Sequence, residues 1–385
     1  MANYQIHQGD NVDTLRQYED CHFDAIITDP PYGIEFLGKD WDNNTGAVET
    51  WRQCLRVLKP GGHLLAFSAA RTYHHLASNI ESVGFEIRDQ LMWLYASGFP
   101  KAQRIKNHEG WKTALKPAHE PIVMARKPFK GSTYKNMDTH GVGALNIDDS
   151  RIPFENNKDF QSAAYGQDKS KTFGYINTEQ QDTYSKQDII KVEANQQGRY
   201  PSNVMGEVEG YQKYFYCPKV SRKERHCGFE KPESQTELLA SVGGYLVDED
   251  GNPSNSGNQA YVPDLGMIYT HGINATIEKI RKQQNKESLS NSVGNNHPTV
   301  KPVALMRYLI QLVTPKNSVI LDPFTGSGST GMAACELGHT FVGCELDPAY
   351  VDIAKRRIEG WCKPNEPNTH PDTVCHNDCV AIHKR

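Results

Sequence analysis

The sequence has no apolar run long enough to span a bilayer, and its first stretch, Met1 to Asp13, is polar. Neither a transmembrane helix nor a signal peptide is therefore expected, and a cytoplasmic location is the default. A disulfide framework is also missing: the nine cysteines are odd in number and scattered along the chain, a usage that fits reduced thiols. Positive charge is not in overall excess either, since the net charge is −4. Taken whole, that balance argues against a nucleic-acid partner. The chain does have enough apolar residues, 37% of 385, to bury a sizeable core in one large domain with an insertion, or in two domains.

The charges are unevenly placed, and this reverses the first impression. From Lys101 to Lys135 there are nine lysines and arginines against two acids, Glu109 and Glu120, with Phe99, Trp111 and Phe129 in or beside the stretch. From Lys213 to Lys231 there are six against Glu224 and Glu230, with Tyr214, Phe215, Tyr216 and Phe229 among them. Cations interleaved with aromatics can neutralise phosphates while flat faces meet bases.

Residues 1 to about 130 alternate strand and helix signals. Asp24 to Thr28 reads as a strand, Val48 to Leu58 as a helix and Lys59-Pro-Gly-Gly62 as a break; His63 to Ser68 is a strand, Arg71 to Val83 a helix and Phe85 to Tyr95 a strand. Such alternation points to a parallel sheet with crossover helices. Between about 131 and 296 the chain turns polar, with 155 to 197 and 249 to 260 reading as long loops, and with more ordered islands at Gly141 to Pro153, Gly198 to Met205 and Tyr211 to Lys219. Regular structure resumes at His297, and Pro302 opens a helix running to Val313.

Two motifs carry chemistry. Asp29-Pro30-Pro31-Tyr32 follows the apolar run Phe23 to Thr28 and so stands at a strand end. An exocyclic base amine is a poor nucleophile because its lone pair is delocalised into the ring, and it needs acceptors on its hydrogens. Asp29 supplies one acceptor and the Pro30 carbonyl a second. Pro31 biases Pro30 towards an extended conformation, which stiffens the turn. Tyr32 adds a flat face for a base turned out of its duplex. The second motif is Asp322-Pro-Phe-Thr-Gly-Ser-Gly-Ser-Thr-Gly331, entered from the short apolar run Ser318 to Leu321. Gly326, Gly328 and Gly331 have the G-x-G-x-x-G spacing that admits a ligand to the backbone and packs helix on strand. After the following helix, Thr340 to Cys344 forms another apolar run ending in Glu345, where an acid accepts from ribose hydroxyls. An adenosine-bearing cofactor is implied. A nicotinamide dinucleotide satisfies the spacing nearly as well but leaves Asp29 to Tyr32 unexplained. The absence of a G-K-[ST] ending argues against a P-loop.

Together these residues resemble the beta-class S-adenosylmethionine-dependent DNA amino-methyltransferases, in which the catalytic motif precedes the cofactor motif. Gly9-Asp10, Lys116 to Pro128, Tyr216-Cys-Pro-Lys219 and His297-Pro-Thr-Val-Lys-Pro302 are similar to phage and prophage adenine-N6 enzymes and to restriction-modification types. The resemblance thins between about 155 and 195. It implies an α/β, Rossmann-like, circularly permuted fold, with a mostly parallel sheet, helices on both faces and a largely irregular inserted region. The corresponding divisions are a catalytic half at 1–130, a target-recognition insertion at 131–296, a cofactor-binding half at 297–361 and an extension at 362–385. It further implies that Asp29, Pro30, Pro31 and Tyr32 bind the flipped base. Asp322, Pro323 and Phe324, with Gly326 and Gly328, would contact S-adenosylmethionine, Glu345 would take its ribose and Asp10 would reach the adenine side. Thr299 and Lys301 would be further cofactor contacts, and His297 reads as structural.

The implied partner is double-stranded DNA, with no membrane. A homodimer and a companion restriction endonuclease are open to such an enzyme, though no interface is recognisable in the sequence. In that family aspartate at position 29 points to adenine N6, whereas cytosine-N4 enzymes tend to carry serine there; the preference has exceptions, and cytosine N4 stays as the alternative. Carbon-5 cytosine chemistry is disfavoured because no Pro-Cys nucleophile stands near the strand end. The reversed motif order favours DNA over the RNA and protein amide methyltransferases that share a similar tetrapeptide. In the tail, Cys362, His370, Cys375, His376, Cys379 and His383 crowd together, but Cys375 and Cys379 have three residues between them where two are common, and no second tight pair exists, so no metal is expected.

Overall fold

The computed structural model describes residues 3–34, 44–95, 102–115, 117–162, 165–168, 189–192, 195–206, 220–229, 239–240, 242–248, 252–254, 259–263, 265–269 and 299–362, with single positions at 277, 280, 295 and 297. Tyr211 to Lys219, most of 155 to 197, Lys116 and the Cys/His tail beyond Cys362 therefore lie outside the described residues.

In chain order the elements are β1 (Tyr4–Gln8), α1 (Asn11–Leu15), β2 (Phe23–Thr28), α2 (Val48–Val57), β3 (Leu58–Phe67), α3 (Tyr73–Ser82), β4 (Glu86–Leu94) and β5 (His119–Arg126). Then come α4 (Thr133–His140), α5 (Asn157–Ser162), β6 (Tyr165–Asp168), β7 (Ile189–Val192), β8 (Val204–Gly206), α6 (Arg222–Arg225), β9 (Tyr245–Val247), β10 (Pro253–Ser254), β11 (Gln259–Val262) and β12 (Gly266–Tyr269). The chain closes with α7 (Val303–Val313), β13 (Val319–Asp322), α8 (Ser329–Glu336), β14 (Thr340–Glu345) and α9 (Pro348–Trp361).

Eight strands form the main sheet in the order β1-β14-β13-β2-β3-β5-β4-β8. The first five run parallel, β5 is antiparallel to both β3 and β4, and β8 joins β4 in parallel. All six residues of β2 are buried, as expected for a strand covered on both faces. From Ala25 to Ile27 its side chains alternate between two cores, and Phe23, before the register shift, joins the core of Ile26. Ala25 and Ile27 pack with Leu309, Met332 and Ile358 from α7, α8 and α9, while Phe23 and Ile26 pack with Leu15, Trp51 and Leu76 from α1, α2 and α3. Helices on both faces of a mostly parallel sheet make a Rossmann-like fold.

Lys59-Pro-Gly-Gly62 does not end an element. Strand β3 pairs with Phe23 at Leu58 and with Ala25 at His63, so the extra residues bulge out while the ladder continues. Gly61 adopts φ +83°, and a Cβ on Gly62 would lie 2.8 Å from the Asp24 carbonyl, so glycine lets the bulge close against β2.

Within 131–296, several pieces pack on the main body. Asn136 of α4 donates to the Pro60 and Val142 carbonyls, β8 extends the sheet beside β4, and Glu224 of α6 accepts from the backbone N–H of Val303 at the start of α7. Strands β9 to β12 form a separate four-stranded antiparallel sheet with its own small core of Leu239, Val242, Leu246, Ala260, Val262 and Ile277.

Candidate active site

Strand order reverses between β13 and β2: the chain leaves β13 for β14 on one side and leaves β2 for β3 on the other. The crevice beyond the carboxyl ends of two such strands is where open α/β sheets bind ligands. Asp322 ends β13 there and Asp29 directly follows β2, so the topology brings together two motifs that lie some 290 residues apart.

Side chains lock that junction. The Asp322 carboxylate is buried and accepts from Thr28 Oγ1 at 2.6 Å, from Thr330 Oγ1 at 2.6 Å and from the Phe324 N–H at 3.1 Å. Burial pushes its pKa up to about 6, against the pull of these three donors. Asp322 was expected as a cofactor contact; its carboxylate ties β2, the loop after β13 and the start of α8 together. Phe324 packs on Trp51 with ring centroids 5.9 Å apart, and the Pro323 carbonyl accepts from Asn11 at 3.2 Å.

The glycine loop turns on two left-handed positions, Gly326 at φ +52° and Gly328 at φ +80°. Glu345, at the end of β14, accepts from the Gly326 N–H at 2.8 Å and from the Asp347 N–H at 2.9 Å, and burial raises its pKa. His297 backs the loop: a Cβ on Gly326 would lie 3.0 Å from its Nε2. Its Nδ1 lies 2.6 Å from the Thr299 carbonyl, its ring meets Tyr350 edge-on, and burial lowers its pKa to about 4. The imidazole is thus neutral and structural at ordinary pH. Asp10 caps α1 by accepting from the Val12 and Asp13 N–H groups, at 2.8 and 3.2 Å, on the same edge of the sheet.

Asp29 and three other polar side chains converge. Lys301 Nζ donates to Asp29 Oδ2 at 2.5 Å, and the Tyr32 hydroxyl lies 2.8 Å from Asp29 Oδ1. The same hydroxyl lies 2.9 Å from Glu120 Oε2, which is 3.4 Å from Lys301 Nζ. Lys301 is buried, with its ammonium 4.9 Å from the Phe67 ring centroid and 5.5 Å from that of Tyr32. Burial alone would lower its pKa, but the carboxylates of Asp29 and Glu120 outweigh it and the net shift is upward. Burial, reinforced by both carboxylates, raises the Tyr32 phenol well above its usual range. Lys301 was expected beside Thr299 as a cofactor contact; the strap entering α7 carries it across the end of β2 to Asp29 and Tyr32.

A family model described as "DNA methylase" matches residues 23–356 of this chain. The chain belongs to that family of DNA methylases. Over most of its length it is similar to the Type II methyltransferase M.HindIII of Haemophilus influenzae, at 23% identity across 92% of this chain and 94% of that protein. It is also similar to the Type II methyltransferase M.HpaI of Haemophilus parainfluenzae, at 21% identity across 97% and 82%. A 72-residue segment is 43% identical to M2.DpnII of Streptococcus pneumoniae, covering 19% of this chain and 26% of that protein. Among solved structures, the M1.HpyAVI-SAM complex aligns with TM-score 0.42 and 17% identity, covering 92% of this chain and 99% of that one.

Three groups in the methylase site escape sequence reasoning. Thr28 passes for one more residue of a buried strand. Glu120 counts only as an acid among cations, although its place just before the apolar run from Pro121 to Ala125 is the signal that could mark it. Arg357 is fully buried and donates to the Ser327 carbonyl at 2.5 Å, to the hydroxyls of Ser327 and Ser329 at 3.0 and 3.3 Å, and to the Glu224 carbonyl at 3.3 Å, which fixes the glycine loop from behind. The second basic stretch is likewise partly committed: Glu224 is buried, and Arg225 donates to the His297 carbonyl at 3.2 Å. Among the described residues there is no cluster fit to hold a metal ion and no helix long and apolar enough to cross a membrane.

Proposed function

We propose that this methylase transfers a methyl group from S-adenosylmethionine to the exocyclic N6 amine of an adenine flipped out of double-stranded DNA. The observation that carries the reading is the Asp29 carboxylate, held by Lys301 and Tyr32 at the switch point of the sheet and joined to the glycine loop through the Thr28–Asp322 bond.

The residues present fit the cofactor. Gly326 and Gly328 bring backbone to the crevice, and the Glu345 carboxylate, with about four acceptor sites, keeps capacity for ribose hydroxyls beside its bonds from the Gly326, Leu346 and Asp347 amides. Phe324 and Pro323 border the same loop, Asp10 follows the end of β1 beside that of β14, and Thr299 lies on the strap two positions after His297. When bound, S-adenosylmethionine supplies an activated sulfonium methyl. Positioning and charge are what remain for the protein to provide. Asp29 and the Pro30 carbonyl accept the two amine hydrogens and direct the nitrogen lone pair, Pro31 holds the turn rigid, and Tyr32 contributes the stacking face. The exposed basic and aromatic segment from Arg104 to Lys112, with Trp111 at 72% exposure, supplies phosphate and base contacts. Aspartate at position 29 favours adenine over cytosine.

Incubation with unmethylated duplex DNA and methyl-labelled S-adenosylmethionine, followed by nucleoside analysis, tests the reading. Labelled N6-methyladenine is expected. Label on cytosine N4 would keep the chemistry and replace the base, and an unlabelled duplex would refute the proposal. Asp29→Ala is expected to abolish transfer while retaining cofactor binding; loss of both would reassign Asp29 to the fold.

A further inference from the structure

The carboxylate that must receive the amine is already engaged. Asp29 Oδ1 faces the Tyr32 hydroxyl and Oδ2 faces Lys301 Nζ, which neutralises its charge at 2.5 Å. A cation this close weakens the very group meant to attract the amine hydrogens and to stabilise positive charge growing on the nitrogen. The site contains a second acceptor placed to take both donors away. Glu120 Oε2 lies 2.9 Å from the Tyr32 hydroxyl and 3.4 Å from Lys301 Nζ, so the two carboxylates face the same phenol and the same ammonium. A phenol has one proton and serves one carboxylate at a time. The ammonium carries three donors and can move its strongest bond between them.

We propose that Glu120 is the positioning residue that relieves Asp29: when the amine enters, the Tyr32 proton and Lys301 shift their bonds to Glu120, and the Asp29 carboxylate turns to the amine hydrogens. The inference rests on the reading of Asp29 given above. Its geometry is independent of that reading, because Glu120 reaches the cluster from β5, the antiparallel strand whose first residues lie beside Phe67 at the end of β3. Two carboxylates and one ammonium leave the pocket one negative charge in excess, which favours a nitrogen acquiring positive charge. Replacing Glu120 by glutamine cancels that excess and leaves Lys301 wholly on Asp29. Replacing Lys301 by glutamine as well restores it.

Single-turnover transfer from preloaded S-adenosylmethionine to unmethylated duplex, measured for the wild type and three variants, tests this. Glu120→Gln is expected to transfer at least tenfold more slowly than wild type while its dissociation constant for S-adenosylmethionine stays within twofold. Glu120→Asp is expected to recover part of the rate, and Glu120→Gln/Lys301→Gln to be faster than Glu120→Gln. A Glu120→Gln protein within twofold of the wild-type rate overturns the inference, as does a double variant no faster than the single one. Loss of cofactor binding in Glu120→Gln and Glu120→Asp alike also overturns it, because Glu120 would then support the fold. A wild type that labels no base refutes the underlying function, and this one with it, before any variant is compared.

Discussion

Replacing Arg357 with methionine tests how far the glycine loop depends on a residue that never faces the crevice. Methionine fills most of the same volume, so the change removes the guanidinium without opening a large cavity. Burial lowers the pKa of Arg357 to about 10, so it still carries its charge at neutral pH. Its bonds to the carbonyls of Ser327 and Glu224 satisfy two acceptors that methionine would orphan, at about 1–3 kcal/mol each, while the hydroxyls of Ser327 and Ser329 can rotate to other partners. Against this, burying a guanidinium is itself unfavourable, and its removal returns part of that cost. The balance is a destabilisation of roughly 2–4 kcal/mol, or a Tm lowered by about 4–8 °C at roughly 2 °C per kcal/mol for a large domain. Because Ser327 lies between Gly326 and Gly328, the loosened loop is expected to lower affinity for S-adenosylmethionine about tenfold. Thermal melting and calorimetric titration measure the two effects. Arg357→Lys is expected to rescue little, since one ammonium cannot fork between the Ser327 and Glu224 carbonyls. A Tm within 1–2 °C of wild type together with unchanged cofactor affinity would refute the reasoning.

Three further outcomes follow from particular contacts. Asp322, with its pKa raised from 3.8 to about 6, keeps a proton in the native state that the unfolded chain has released, so stability falls as pH rises through that window and the cost is full above it. Urea melts at pH 7 and pH 4.5 should therefore show wild type gaining stability on acidification relative to Asp322→Asn; a constant difference would reject the assignment. Gly331→Ala places a Cβ 2.4 Å from Ile358 Cδ1 and 2.8 Å from Phe341 Cδ1, and overpacking of this kind should cost about 1–3 kcal/mol in a denaturant melt. Trp111→Ala, at a side chain 72% exposed, should weaken duplex binding severalfold by fluorescence anisotropy while leaving cofactor binding unchanged; equal DNA affinity would remove that segment from the interface.

What could be read from the chain was whatever depends on neighbours in sequence. The continuous burial of β2 shows in Phe23 to Thr28, the left-handed turns show as Gly326 and Gly328, and the start of α7 shows as Pro302. Contacts across hundreds of residues left no such trace. Lys301 and Asp29 are 272 positions apart, and nothing in a Thr-Val-Lys-Pro strap says which pocket its cation will enter. Glu120 was masked by its basic surroundings, since counting charges along a segment ignores that a strand points alternate side chains to opposite faces. The same charge count made the second basic stretch a candidate for phosphate contact, although on helix α6 Glu224 and Arg225 face inward, onto α7 and the strap. Lys59-Pro-Gly-Gly62 read as a break because proline and glycine usually interrupt strands; here the adjacent β2 and the Lys127 backbone accept the bulge on both sides, with Gly61 donating to the Lys127 carbonyl at 3.0 Å and Lys127 to that of Gly62 at 2.9 Å.

The order of the motifs along the chain matters little to this site because the sheet, and not the connection, fixes their relation. Strands β2 and β13 share only two register pairs, Ala25 with Ile320 and Ile26 with Leu321, which by themselves would leave the alignment weakly specified. Side chains pin it at both ends. At the start of the pair Asp24 accepts from the Val319 N–H at 2.7 Å while Lys59 holds its other oxygen at 2.5 Å, and at the far end Thr28 donates to Asp322 at 2.6 Å. A slip by one residue would break both and turn every buried side chain of β2 to the opposite core. Asp29 follows Thr28 directly, and the turn to the glycine loop follows Asp322 directly, so the two clamps set where the Asp29 carboxylate stands relative to the glycine loop. Thr28→Val removes the upper clamp at nearly constant volume and leaves Asp322 with one fewer donor. It is expected to slow methyl transfer more than it weakens binding of either substrate, since the fold retains the Asp24 clamp while the reacting groups lose their fixed spacing. Single-turnover rates set beside cofactor and DNA affinities decide this: an equal loss in all three would mean that Thr28 supports the fold and not the alignment.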